Sequence, residues 1–293
     1  MFTRRRDATY VRDLPAFRRI VPYLMRTRTE AAVYFPQRIE VDELLAWLDE
    51  VNADRSEEDR LTLFHVLVTA IARAMKLRPE LNRFVVGRRT YQHDEISIAF
   101  VVKTAMAEDA PETEVRLVFT GEETVEQVRD RVESAVARKR ATLGGKDDQL
   151  VELFAPWPRP VLDLIARLVA RLDYHNALPS FLQDAIPLYT SVYLVNVGSI
   201  GIDPPFHHLY EYGSASVFVA IGAIRKEPVV DEQGAIVVRS CLQAVYTLDE
   251  RASDGFSFAR TAEVFRRLVS QPALLAQPQL TVDDILAGWP HGA

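Results

Sequence analysis

The residues best placed for chemistry are Asp249-Glu250-Arg251-Ala252-Ser253-Asp254-Gly255, three acids and an arginine in one turn. A carboxylate there, Glu250, could take a proton from a nucleophile, with Asp249 and Arg251 pulling its proton affinity in opposite directions. The bland alternative is that Asp254-Gly255 is simply good turn chemistry. The six histidines offer less. His65 lies in a strongly apolar helical run and reads as a core residue. His93 falls in a hairpin, His175 in a helical stretch and His291 in the tail. His207 and His208 form a pair, and Glu211 stands four residues after His207, resembling a base with an acidic orienter. Two adjacent histidines without further ligands at fitting spacing are a weak metal signal, and no metal is predicted. The chain has no glycine-rich phosphate loop, no serine elbow and no Cys-x-x-Cys. Its single cysteine, Cys241, excludes an intrachain disulfide and reads as a small buried hydrophobe.

The elements that hold the turn are legible on both sides. Val237, Val238, Cys241, Leu242, Val245, Tyr246 and Leu248 make a long strand that feeds into it. Phe258, Ala262, Phe265 and Val269 recur at helical spacing after it. A strand, a polar turn and a helix fix the ends of a segment and let its tip present side chains.

Upstream, Phe17, Ile20, Val21, Leu24 and Met25 line one face of a helix with arginines opposite. Ala32–Val41 reads as a strand broken near Pro36, and Asp42 caps a helix over Leu44, Leu45, Leu48 and Val51. Leu61 to Met75 is a buried helix ended by Pro79-Glu80-Leu81-Asn82. A hairpin around Gly87 follows, then strands at 95–102 and 115–119 and a helix from Thr124. After a connection at Gly144–Asp148, residues 150–187 are largely helical, with an apolar stripe of Val161, Leu162, Ile165, Leu168, Val169 and Leu172. That segment could pack on its own domain, contact another subunit or cover a substrate channel; few basic residues flank it, which disfavours a membrane surface. Strands at 191–195 and 216–222, the latter before a Gly222-Ala223-Ile224 turn, and a hairpin at 226–234 complete the sheet.

At 293 residues the chain suits one large domain, and residues 1–293 read as one. A net charge of -6 gives no support for nucleic-acid binding. No apolar run is long enough to span a membrane and no signal peptide opens the chain, so the expected setting is soluble and cytoplasmic.

The turn at 249–255 resembles the signature of the catalytic domains of dihydrolipoyl acyltransferases, the cores of 2-oxoacid dehydrogenase complexes, which share a fold with chloramphenicol acetyltransferase. That signature reads Asp-His-Arg-x-x-Asp-Gly, and here only its histidine is exchanged, for Glu250. The Pro79–Asn82 tetrapeptide and the order of elements resemble the same family. So does Asn196-x-Gly198-x-x-Gly201, which ends a strand as the family's Ser-Asn-x-Gly-x-x-Gly does; Val195 stands in place of the serine. The resemblance implies an α/β fold with a mixed sheet covered by helices, and residues 150–187 as an addition. It implies that Asp249, Arg251, Asp254 and Gly255 shape the turn, with Asp254 holding an arginine, and that Asn196, Gly198 and Gly201 line the substrate. It further implies a homotrimer with its active channel between subunits, association with other complex subunits, and coenzyme A or an acyl thioester as a ligand rather than a tightly bound cofactor. No lipoyl domain or Ala-Pro linker is legible in these residues.

The two exchanges decide the expectation. The family reaction removes a proton from a thiol with a pKa of about 8.5. The mismatch to a glutamate near 4.3 is about 5.7 kcal/mol, against about 2.7 for a histidine near 6.5. Burial would narrow that gap by raising the carboxyl. Valine has no hydrogen to offer an oxyanion. Two functions therefore stay open: a catalytically degenerate relative kept for assembly or thioester binding, and a working acyltransferase with Glu250 as its base.

Overall fold

In the computed structural model, residues 4–103, 112–141 and 156–287 are described. The connection expected at 144–148, the start of the 150–187 segment and the tail from 288 lie outside them.

A six-stranded mixed sheet carries the molecule. Its strands are β2 (Ala32–Glu40), β5 (Ile96–Lys103), β6 (Glu112–Phe119), β7 (Val192–Asn196), β8 (Val217–Val230) and β9 (Ile236–Asp249), in the order β2-β9-β8-β7-β5-β6. β7 runs parallel to both β5 and β8, and the other pairs are antiparallel. β1 (Ala8–Tyr10), β3 (Arg83–Val86) and β4 (Arg89–His93) form a small second sheet.

Alternation along the strands divides the sheet into two faces. One face sends Ile98, Phe100, Val192, Leu194, Val219, Ile221, Ala244 and Tyr246 into the main core. This core is completed by α2 (Asp42–Val51), α3 (Leu63–Leu77), α4 (Val125–Ala141) and α7 (Gly255–Ser270), the last followed by the short α8 (Val282–Leu286). α3 is the central helix, buried from His65 to Met75. His65 is structural: its Nδ1 accepts from the Thr62 amide at 3.1 Å, one half of a capping box. The opposite face carries Ala99, Tyr193, Phe218, Ala220 and Val245 under the loop that includes Leu209 and Tyr210.

Three local expectations change. β2 runs unbroken through Pro36, which pairs opposite Val245. It is an edge strand, where a missing amide donor costs no ladder bond. Gly222 does not turn the chain; β8 passes through it with a register irregularity between Ile221 and Ile224. The helix α1 (Ala16–Leu24) buries Val21 and Pro22 but leaves Phe17, Ile20 and Leu24 exposed, so most of its apolar face is uncovered within one subunit.

The added segment supplies α5 (Arg159–Tyr174) and α6 (Ser180–Ala185). Its stripe of Leu162, Ile165, Val169 and Leu172 is half-buried, whereas Leu164 and Leu168 face solvent. What anchors α5 is polar. Arg5 Nη1 donates to Asp173 Oδ1 at 2.9 Å, and Arg5 is also paired with Asp7 and lies over the Phe84 and Tyr91 rings. Asn176 then donates to the Tyr91 hydroxyl at 2.7 Å, so the segment is seated on the small sheet. The two-residue turn between β3 and β4 has positive φ at both Gly87 (57°) and Arg88 (60°). Such turns favour glycine or asparagine, and a left-handed arginine costs about 1–2 kcal/mol.

Candidate active site

The 249–255 turn is a rigid structure built around Asp249. β9 ends there because the ladder closes on both sides: Asp249 N–H donates to Ser216 O, and Glu250 N–H donates to Ala31 O, each at 2.9 Å. Asp249 is 2% exposed, so its carboxylate needs partners. Arg251 grips it with two parallel bonds, Nε to Oδ1 at 2.8 Å and Nη2 to Oδ2 at 2.7 Å, and the Arg251 amide adds a third at 3.1 Å. A second guanidinium, Arg28, reaches the same carboxylate at 3.9 Å and donates to the carbonyls of Tyr210, Glu211 and Gly213. Arg28 is 3% exposed, and burial pulls its pKa below the usual arginine range despite Asp249.

Asp254 forms no arginine ion pair within 4 Å among the described residues, although the charge of Arg18 acts on it. Its Oδ1 accepts from Ser257 N–H at 2.7 Å, capping α7, and these bonds lower its pKa. The arginine of the turn belongs to Asp249. Nothing in the sequence marked Arg28 as its second partner, because that contact joins positions 221 residues apart. Glu250, at the tip, is exposed; its carbonyl accepts from Arg18 of α1 at 3.1 Å.

The second constellation ends β7. Val195 packs, half-buried, on the face formed by Tyr193, Phe218, Ala220 and Val245. Asn196 Oδ1 is buried and has no hydrogen-bond partner among the described residues. Gly198 is obligatory by space, since a Cβ there would meet Gly222 O at 2.2 Å. Gly201 is obligatory by conformation, with φ at 80°.

These two constellations do not meet within one chain. The register places Val195 beside Ala220 and Ala220 beside Val245, five residues before Glu250. At about 3.4 Å per residue the two positions stand roughly 17 Å apart along the strands. The His207–Glu211 pairing is also dissolved. His207 stacks on Phe218 with ring centroids 4.0 Å apart, while Glu211 accepts from the Thr29 amide and hydroxyl and from the Arg28 amide.

A cavity of about 220 Å³ opens behind the turn, between Arg251, the segment after α1, the β3–β4 turn and α5. Ala170, Asp173 and Tyr174 of α5 thus border the same cavity as Arg251, although α5 is distant from the turn in sequence.

The sequence profile of the 2-oxoacid dehydrogenases acyltransferase (catalytic domain) family matches residues 12–107 and 190–277, more than half of the chain. The chain belongs to this family. The matched stretches leave out residues 108–189, which include α5 and α6. Comparison with curated proteins gives no match. Among solved structures, the chain is similar to a probable dihydrolipoamide acetyltransferase from Listeria monocytogenes 4b F2365, at 14% identity and a TM-score of 0.57 over 93% of this chain and 97% of that one. It is also similar to the dihydrolipoamide acetyltransferase of Azotobacter vinelandii, at 15% identity and 0.58 over 91% and 94%. A chloramphenicol acetyltransferase matches at 12% and 0.51 over 90% and 98%. At these identities the likeness establishes the fold, a six-stranded mixed sheet with helices of the chloramphenicol acetyltransferase kind. Among the described residues no helix is long and apolar enough to cross a membrane.

Proposed function

We propose that this chain is a catalytically degenerate acyltransferase-family protein that assembles as a homotrimer and binds coenzyme A or an acyl thioester without turning it over efficiently. The observation that carries the reading is Val195: an aliphatic side chain packed among Tyr193, Phe218, Ala220 and Val245, where the family signature places a hydroxyl. Glu250 supports it, because an ionised carboxylate at the base position repels a developing thiolate. In the Azotobacter enzyme a serine, a histidine and an asparagine were probed for their role in catalysis, and the asparagine follows the histidine by four residues. Glu250 and Asp254 have the same separation, which supports the alignment.

The scaffold argues for retained assembly and binding. The Asp249–Arg251–Arg28 cluster keeps the turn in shape without a catalytic base. The uncovered face of α1, with exposed Val33, Tyr34 and Phe35 on the edge strand, is apolar surface suited to a second copy. Cyclic closure would bring Glu250 of one copy toward the Val195–Gly201 loop of the next. Asn196 Oδ1 would there find a donor on the ligand or the neighbouring subunit.

The test is acyl transfer from acyl-coenzyme A. A positioned base contributes about 10²–10⁴-fold and an oxyanion donor about 10²–10³-fold. The double substitution Glu250→His with Val195→Ser should therefore raise a slow wild-type rate by at least about 10²-fold. Wild-type turnover already in the range of about 1–10³ s⁻¹, lost in Glu250→Gln, would instead make Glu250 the working base.

A further inference from the structure

We propose that the cavity behind the 249–255 turn is a binding site for a phosphate-type anion. Its lining holds four guanidiniums, Arg26, Arg28, Arg88 and Arg251, against two carboxylates, Asp173 and Glu211. Both carboxylates are engaged elsewhere. Arg5 holds Asp173 at 2.9 Å, and the Arg28 and Thr29 amides and the Thr29 hydroxyl occupy Glu211 at 3.1, 2.9 and 2.7 Å. Arg28 and Arg251 share one carboxylate at ion-pair distance, Asp249, with Asp173 and Glu211 acting on Arg28 from further away. The side chain of Arg26 has no hydrogen bond or ion pair among the described residues, and Arg88 lies over the Tyr23 ring at 5.0 Å without a carboxylate partner there. A positive hollow of this kind in a chain of net charge -6 is a local arrangement and not a consequence of composition.

A second observation is independent of charge. Arg88 occupies the left-handed second position of the two-residue β3–β4 turn, where glycine or asparagine would relieve the backbone. Strain retained at one residue marks a side chain needed for something other than the fold, and this one points its element at the cavity. Guanidiniums present planar forks of donors that match phosphate oxygens in pairs. The cavity, about 220 Å³ and open to solvent on one side, has room for a phosphate group. One wall is α5, outside the residues matched to the family, whereas the four arginines lie within them.

The experiment is calorimetric titration and thermal unfolding of the full chain with inorganic phosphate and with pyrophosphate, at ionic strength held constant with chloride. Wild type, Arg88→Asn and Arg26→Gln/Arg88→Asn are compared. Phosphate should raise the melting temperature of wild type above the chloride control. Without phosphate, Arg88→Asn should melt higher than wild type, since asparagine fits the turn. The double variant should bind at least about tenfold more weakly, from the loss of two charge-assisted contacts. Tighter pyrophosphate binding assigns a diphosphate ligand, and tighter phosphate binding a monoester. No phosphate-specific shift in wild type, or unchanged affinity in the double variant, overturns the proposal.

Discussion

Replacing Asp249 by alanine should be among the most damaging single changes in this protein, and the reason is Arg251 and Arg28 rather than the turn's conformation. The substitution deletes three hydrogen bonds to Arg251 and the carboxylate in ion-pair contact with Arg28. Both guanidiniums remain at 5% and 3% exposure, with access to water limited to the cavity behind the turn. Removing one partner of a buried ion pair costs about 3–5 kcal/mol, because the charge left behind is uncompensated. For a 293-residue chain the unfolding entropy near the midpoint is about 0.6 kcal/mol/K, so the melting temperature should fall by roughly 5–8 °C. Asp254→Ala is the internal control. It removes an exposed helix cap worth about 1 kcal/mol, or about 2 °C. Calorimetry on both variants and on Asp249→Ala/Arg251→Met reads the difference. The double variant should recover part of the loss, since an apolar side chain needs no counter-ion. If Asp249→Ala and Asp254→Ala cost the same, or if Arg251→Met gives no recovery, the account of the turn as a buried ion cluster is wrong.

Three further outcomes follow from the geometry. His93 is buried against Phe84 with Ser214 O nearby and Asp7, Arg5 and Arg116 around it, and burial lowers its pKa to about 4. The unfolded chain therefore binds the proton first: stability is complete above pH 6.5 and falls as pH drops from about 6.5 to about 4, by up to about 3 kcal/mol, a slope that His93→Gln should flatten in urea titrations. Gly198→Ala should destabilise by about 1–3 kcal/mol through the clash with Gly222 O, measured by the same titrations. Light scattering at micromolar concentration should give about 100 kDa, three times the 33.2 kDa chain; a monomer would remove the basis for a site shared between copies.

Much of this fold was readable because its elements are amphipathic on regular periods. The strand entering the turn, the helix leaving it and the buried helix ending at Pro79–Asn82 stand where their patterns place them. Edge and interior are invisible to such patterns, which is why Pro36 suggested a break that an edge strand does not need. The turn was legible as a turn, yet the partner of its arginine was not. Asp249 and Asp254 are equivalent as letters, and only burial separates the carboxylate that must be neutralised from the one that caps a helix. Arg28 and Arg5 act through contacts more than 160 residues distant, with no local signal. The exposed face of α1 shows the reverse limit: the period is helical, but it does not say that Phe17, Ile20 and Leu24 stay in solvent.

The Arg5–Asp173 contact has a consequence for the order in which the molecule comes together. Its two ends are separated by 168 residues, so it ties α5 to the N-terminal residues across more than half of the chain. During synthesis Arg5 emerges first and stays without its partner until α5 is made. The helix in turn makes few apolar contacts that would hold it beforehand, with Leu164 and Leu168 left in solvent. The β2–β9 ladder closes a longer loop but offsets it with many bonds, whereas a handful of polar bonds offsets little, so this contact is expected to form after the main sheet. The N-terminal residues thus work as a latch fastened last, and α5 with its wall of the cavity is the region whose amides should exchange with solvent before the rest of the molecule opens.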